Sequence, residues 1–411
     1  MIERTLSNKI KEIAQFFPVV LLTGPRQVGK TTLLEEISHG QYSYVSLDDI
    51  SQRELAQKDP ALFIQNHTTP LIIDEIQYAP ELFTYIKIYV DTHKNQNGLF
   101  FLTGSQKFQL IKGIQESLAG RVAVLDLLGF SYKEIINQAH TSPFLPTEEW
   151  IENTRTSIRE KNLNPLTVQD IYEIIWNGSF PRLVCQKNNA REIFYKSYLQ
   201  TYIERDIKDS HNISDSITFY DFIRAVAART GQLLNYAELA RDVAVDPKTA
   251  KVWLSVLERS GLIQLVYPYY NNITQRIIKT PKVYFLDTGL CAYLTGWDSP
   301  KTLEAGAMSG AVLETYVFAE ILKSYWHNCK EAPIYFYRDK DQKEIDFVIE
   351  QNSTLYPIEV KKTLMPNESS IKNFNVLEKL NKPVGHGAVL CLKPEVLSIN
   401  RQVTSVPIWA I

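Results

Sequence analysis

At 411 residues, with 45% hydrophobic and 22% charged side chains and a formal net charge of −2, the chain is long enough for roughly two to four globular units with cores of their own. The near-neutral balance excludes a polybasic nucleic-acid coat while leaving room for a local basic face. Cys185, Cys291, Cys329 and Cys391 are too scattered for a disulfide framework or a Cys-x-x-Cys zinc site. The first residues lack the apolar core of a secretion signal, and no apolar run approaches the roughly twenty residues that cross a bilayer. A soluble, cytoplasmic protein with no membrane partner is the expectation.

An amphipathic helix over 3–16 leads into an apolar strand, 18–22. Gly24-x-x-x-x-Gly29-Lys30-Thr31 follows and opens a helix over 32–38, the pattern of a phosphate loop. Its residue types suit the chemistry. Gly24 and Gly29 allow positive φ, so that the N–H groups of Gly24, Pro25 to Val28 (Pro25 itself lacking one), Gly29, Lys30, Thr31 and Thr32 can gather around phosphate oxygens, with Arg26 and Gln27 in the bend. The helix adds its positive end. Lys30 reaches the outer phosphates of ATP and the Thr31 hydroxyl ligates Mg2+. Residues 42–47 form a second strand and 50–66 are helical, interrupted at Asp59-Pro60. The apolar run 70–73 then closes in Asp74-Glu75, about 44 residues after Lys30. Asp74 suits the magnesium shell, and Glu75 suits polarising the attacking water. A further strand, 98–103, ends in Gly104-Ser105, where Thr103 or Ser105 can sense the terminal phosphate. Residues 106–119 are helical in pattern and lead to Arg121 and a strand over 122–125. Strands alternating with helices predict a parallel sheet covered by helices.

This ordered set of Thr-Gly-Pro-Arg-Gln-Val-Gly-Lys-Thr-Thr, Leu-Ile-Ile-Asp-Glu-Ile-Gln, Leu-Thr-Gly-Ser and Leu-Ala-Gly-Arg-Val, followed by Leu-Gly-Phe-Ser-Tyr-Lys-Glu, resembles AAA+ ATPases of the branch that carries a DUF4143-type C-terminal region. The resemblance covers nearly the whole chain. It implies ATP hydrolysis, Ser105 in the sensor-1 place, and Arg121 as an arginine finger entering a neighbouring subunit, hence a homo-oligomer. The competing reading of Arg121 is a surface ion pair.

Pro143, Pro146 and Pro165 mark a boundary over 140–170. Residues 171–176 are helical and stop at Asn177-Gly178, and the resemblance implies a helical lid there, with Arg182 as a second sensor. A helix cap and loop explain the same residues. Residues 191–207 form a helix whose Phe194, Tyr195, Tyr198 and Tyr202 read as core packing, and its end, 202–207, resembles a signature stretch of the same family. Residues 217–267 read as helix, helix, turn, helix, strand, a winged-helix pattern whose hairpin wing runs from 262 to 278. Its third helix offers Lys248, Thr249 and Lys251 to a DNA groove. Eight Lys/Arg against five Asp/Glu across 217–280 give that face only a mild positive excess, and winged helices also serve as protein contacts.

The strand-turn 282–289 opens the last region, followed by a helix over 308–325 and strands 333–338, 344–349 and 355–361. In Glu359-Val360-Lys361, alternation puts the carboxylate and the ammonium on one face. Asp346 on the preceding strand and Glu314 on the helix can join them. The set resembles the PD-(D/E)xK phosphodiesterase fold, with Ile345 in place of the motif's Pro. That resemblance implies Mg2+ or Mn2+ on Glu314, Asp346 and Glu359, with Lys361 orienting water. A salt-bridged sheet edge is the alternative. The expectation is an α/β multidomain chain: a parallel-sheet, AAA+-like P-loop domain (1–140), a helical lid and connector (141–215), a winged helix (216–280) and a nuclease-like α/β domain (281–411). The function expected is an ATPase coupled to a DNA-binding or DNA-cutting end. A nucleotide-gated oligomeric scaffold with a protein-binding end is the competing function.

Overall fold

The computed structural model describes residues 2–105, 110–111, 113–114, 117–160, 164–186, 190–202 and 216–411. The apolar runs of the first third become five parallel strands: β1 (Val19–Thr23), β2 (Ser43–Ser46), β3 (Leu71–Asp74), β4 (Phe100–Gly104) and β5 (Val122–Asp126). Their order is β2-β3-β4-β1-β5, with every pairing parallel. β1, β3 and β4 are buried along their whole length, which is why they read as unbroken apolar runs and not as alternation. Because β4 lies between β1 and β3, the phosphate loop, Asp74 and Thr103 all emerge at the same edge. One face of the sheet is covered by helices Ile50–Lys58, Pro60–Asn66 and Leu82–Thr92, through Ala56, Phe63 and Ile86. Asp59 caps the second of these by accepting from Leu62 N, so the Asp-Pro interruption is a helix restart.

The other face takes Leu33, Leu34 and Ile37 of helix Lys30–Ser38 together with Phe180, Phe194, Tyr195, Tyr198, Phe219 and Phe222 of the middle of the chain. The aromatics of helix Arg191–Tyr202 are thus core, as their spacing predicted. Residues 203–207 of the signature stretch, and much of the helix predicted over 106–119, lie outside the described residues. Helices Ser216–Ala227, Tyr236–Asp242 and Pro247–Arg259 are joined by β6 (Gln232–Leu233) and followed by β7 (Ile263–Val266) and β8 (Lys282–Phe285). β8 lies between β6 and β7 and is antiparallel to both. This corrects the predicted hairpin over 262–278. Residues Ile273–Ile278 are helical, and the partner of β7 is β8, which the sequence assigned to the C-terminal region. The intervening segment holds a helix of its own, so local patterning could not reveal the pairing; the fully buried Val283 and Phe285 draw β8 into the sheet.

The last third forms a six-stranded sheet, β13-β14-β12-β11-β10-β9, from β9 (Ile334–Arg338), β10 (Glu344–Gln351), β11 (Thr354–Lys361), β12 (Gly387–Cys391), β13 (Leu397–Ser398) and β14 (Val403–Pro407). β9, β10 and β11 are antiparallel neighbours, and β11, β12 and β14 run parallel. Helix Ser309–Trp326 shares one core with this sheet through Leu313, Val317, Ile321, Phe347 and Ile358. Ile151, Tyr172 and Ile175, from helices Glu148–Arg159 and Val168–Asn177, belong to that same core. The proline-rich stretch predicted as a boundary is therefore packed against the C-terminal unit. Among the described residues no helix is long and apolar enough to cross a membrane.

Candidate functional site

The loop after β1 turns on two glycines for different reasons. A Cβ at Gly24 would lie 2.0 Å from the carbonyl oxygen of Leu127, so the loop can approach the chain leaving β5 only without a side chain there. Gly29 has φ 91° as the residue before helix Lys30–Ser38, a left-handed conformation that glycine adopts at low cost. Gln27 also has positive φ, 61°. The helix N-terminus therefore opens onto a concave run of backbone amides. Lys30 is buried, and its Nζ donates to the carbonyl oxygens of Gly24 and Pro25 at 3.0 and 2.8 Å, spanning the mouth of the loop.

Thr31 and Asp74, expected to share a cation, are brought together. Thr31 Oγ1 donates to Asp74 Oδ1 at 2.8 Å, Tyr44 OH to Oδ2 at 3.2 Å, and Thr103 Oγ1 makes a short hydrogen bond to Oδ1. Thr103 Oγ1 also accepts from the amide of Glu75 at 3.2 Å. One hydrogen-bonded chain thus runs from the loop helix through the end of β3 to the end of β4. Glu75 has φ 57°, which turns it sharply out of the strand, and Gln77 Nε2 donates to its carboxylate. Ser105 is buried, and its Oγ has no partner among the described residues. It lines a cavity of about 390 Å3 together with Gly24, Pro25 and Asp126. Tyr44 and Gln77 were missed by the sequence reading. Gln77 had a signal, its place two residues after Glu75, and Tyr44 had none.

Arg121 is not part of this edge. It precedes β5 at the opposite end of the sheet, its backbone carbonyl accepting from Val19 N at 3.3 Å, and its guanidinium grips Asp91 through Nε and Nη2 at 2.7 and 3.1 Å. Arg182 lies exposed on helix Pro181–Cys185. The helix begins close to the loop, with Pro181 Cγ 3.8 Å from where a Cβ of Gly29 would sit. The loop has a second neighbour as well: a Cβ on Gly261 would lie 2.9 Å from Pro25 Cγ.

In the C-terminal unit, Lys361 Nζ donates to Glu359 Oε1 at 2.5 Å, confirming that the two share a face, and Val360 N donates to Asp346 Oδ2 at 2.8 Å. Burial, and then the charge of Asp346, push the Glu359 carboxyl up to about 8. The same two causes push Glu314 up to about 7, and burial raises Asp346. Glu314 faces Lys282 Nζ at 3.2 Å and accepts from Tyr284 OH at 2.5 Å. Among the described residues no three Asp, Glu, His or Cys side chains gather as an ion would need. The expected Mg2+ or Mn2+ set of Glu314, Asp346 and Glu359 is therefore not assembled in this arrangement. The sequence pointed to Lys361 and missed Lys282, a lone lysine at the start of a strand.

Residues 17–136 match the AAA domain family. This part of the chain has an AAA-type P-loop ATPase fold. Residues 168–301 match a domain of unknown function, DUF8612, and 309–411 match another, DUF4143. An uncharacterised protein of Mycobacterium tuberculosis is 28% identical over 89% of this chain and 75% of its own length. An uncharacterised protein of Methanocaldococcus jannaschii is 23% identical over 77% and 69%. Among solved structures, a Walker-type ATPase of Pyrococcus abyssi is similar at a TM-score of 0.44 and 17% identity, covering 72% of this chain and 96% of that one. The RuvB Holliday junction branch migration motor of Thermotoga maritima is similar at a TM-score of 0.32 and 16% identity, covering 64% and 89%.

Proposed function

We propose that this chain hydrolyses ATP with Mg2+ and uses the cycle to move its middle unit on DNA. The observation that carries the first half is the chain Thr31–Asp74–Thr103–Glu75, which gathers a loop hydroxyl, two acids and a threonine at the edge where the loop opens. Thr31 Oγ1 and the Asp74 carboxylate are hard oxygen donors 2.8 Å apart beside a helix N-terminus, a donor set that fits Mg2+. Thr31 and Asp74 would hold the ion, which would neutralise charge on the outer phosphates. The loop amides hold those phosphates, and Lys30 exchanges its two carbonyl partners for phosphate oxygen. Glu75 takes a proton from the water that attacks the terminal phosphorus; a P–O bond to water forms and the bond to the bridging oxygen breaks. Ser105 donates to the terminal phosphate. Arg121, on the far edge of the sheet, serves a neighbour's nucleotide in a homo-oligomer.

Phosphate release and fluorescent-ATP binding test this. Lys30→Ala is expected to lose nucleotide binding, and Asp74→Asn to lower kcat roughly 10²–10³-fold, the scale of removing one electrostatic stabiliser. Wild-type turnover in both variants would overturn the proposal.

DNA is favoured as the partner by one feature. The order of helices and strands from Ser216 to Phe285, with β8 central, supports a winged-helix reading, and Lys248 and Lys251 are exposed at the start of helix Pro247–Arg259. Asp246 caps that helix by accepting from Lys248 N and Thr249 N at 2.8 and 3.0 Å. Duplex binding followed by anisotropy should weaken linearly in log[salt], and Lys248→Glu should weaken it further. Absence of binding at low salt would leave the nucleotide-gated scaffold in its place.

A further inference from the structure

We propose that Lys282 occupies, as a tethered ammonium, the place of a divalent cation among Glu314, Glu344 and Asp346, and that it keeps the C-terminal acids metal-free while β8 is docked. The PD-(D/E)xK-like pattern implies an ion on Glu314, Asp346 and Glu359, two of which face Lys282. What the structure puts there is a side chain from another unit. Lys282 Nζ lies 2.6 Å from Glu344 Oε1 and 3.2 Å from Glu314 Oε1, and its side chain is 4% exposed. The ring of Phe336 flanks it, with its centroid 5.5 Å from Nζ.

The remaining donors are also engaged. Tyr284 OH, two residues along β8, donates to the same Glu314 oxygen at 2.5 Å. Asp346 Oδ2 accepts from Val360 N, and Glu359 Oε1 from Lys361. Glu359 Oε2 is the orphan of the set, buried with no partner among the described residues. One unsatisfied oxygen does not make a ligand sphere. An ammonium held at these distances repels any second cation entering the same space, because burial strengthens the Coulomb term.

Position makes this more than a salt bridge. Lys282 and Tyr284 belong to β8, the central strand of the small sheet, whereas Glu314 lies on helix Ser309–Trp326 and Glu344 and Asp346 on β10. Removing β8 removes the ammonium and the phenol together and leaves Glu314 without a counter-charge, while Glu344 keeps Arg338 Nη1 at 3.6 Å and Asp346 keeps the charge of Lys361. Such a set either takes up a divalent ion or becomes strongly destabilised.

Mn2+ is the probe, followed by electron paramagnetic resonance of the free ion in nucleotide-free protein. The full-length chain carries Asp74→Asn throughout, so that the phosphate loop contributes no uptake. With Lys282 present, no uptake that depends on Asp346 is expected. Lys282→Met should add one site, tightening Mn2+ binding about 10–100-fold, the scale on which metal sites respond to a neighbouring residue. Asp346→Asn should abolish that site. The proposal fails if the chain with Lys282 intact already takes up Mn2+ in an Asp346-dependent way, or if folded Lys282→Met gains no site. Circular dichroism reports folding. Should Lys282→Met not fold, Lys282→Gln, which keeps most of the stem and removes the charge, is read by the same criteria.

Discussion

Glu75→Gln is expected to lower kcat for ATP hydrolysis about 10²–10⁴-fold, the range supplied by a positioned general base, while ATP binding is unchanged. The substitution keeps the size of the side chain and its ability to accept from Gln77 Nε2. It also leaves the backbone amide bonded to Thr103, so the chain that organises Thr31 and Asp74 is untouched. What disappears is the oxygen basic enough to take the proton of water. Steady-state phosphate release gives kcat, and fluorescent-nucleotide titration gives affinity. A drop in kcat with constant affinity identifies an interaction made in the transition state. Unchanged turnover would remove Glu75 from the chemistry.

Arg4→Ala should be the most destabilising single change, costing about 3–5 kcal/mol, the usual penalty for leaving a buried charge without its partner. Arg4 is 5% exposed and Glu134 fully buried. The guanidinium donates to Leu128 O at 2.6 Å, lies 3.4 Å from Glu134 Oε1 and stacks on Phe130 at 4.5 Å. The carboxylate also accepts from Thr5 N and Ser131 N at 2.8 and 2.9 Å. His327 Nε2 accepts from Leu128 N at 3.2 Å; its proton therefore sits on Nδ1, facing Glu134, and burial lowers its pKa, favouring this neutral form. Burial opposes the charge on Glu134, but the charge of Arg4, the N–H of His327 that faces it and the Ser131 amide outweigh burial and hold the carboxyl well below its usual range. The sign follows from linkage. A depressed carboxyl contributes in full above its unfolded value of about 4.5, and the contribution is lost only as pH falls through the folded value. Thermal unfolding should thus show the Arg4→Ala penalty complete at pH 7 and shrinking in acid. An equal loss of stability at pH 7 and in strong acid would assign the effect to packing against Phe130 alone.

The edge that gathers the loop, Asp74 and Thr103 was legible because its segments are local. Gly24 to Thr31 and Asp74-Glu75 are short segments whose residue types state their conformation, and β1, β3 and β4 announce burial on both faces. The aromatics at 194, 195, 198 and 202 were legible for the same reason: helical spacing puts them on one side. Illegible were the features made by distant pairing. β8 joins β7 across an inserted helix, so the pattern of 262–278 suggested a local hairpin. Lys282 meets Glu314 and Glu344 only because of that pairing. Arg4 and Glu134 sit 130 residues apart in segments whose apolar neighbours gave no sign that charge was being buried. Proline content over 140–170 suggested a boundary, and Ile151 and Tyr172 from that stretch and just beyond it pack into the C-terminal core.

The ring of Pro25 rests against Gly261, the residue that ends the turn after helix Pro247–Arg259. On the proposed function, a phosphate loop that reshapes on taking up nucleotide would push on the end of the helix whose start presents Lys248 and Lys251. Thermodynamic coupling of this kind is symmetric: whatever factor nucleotide applies to partner affinity, the partner applies to nucleotide affinity. On that reading, a macromolecule seated on those lysines would change the affinity of the loop for nucleotide without touching it.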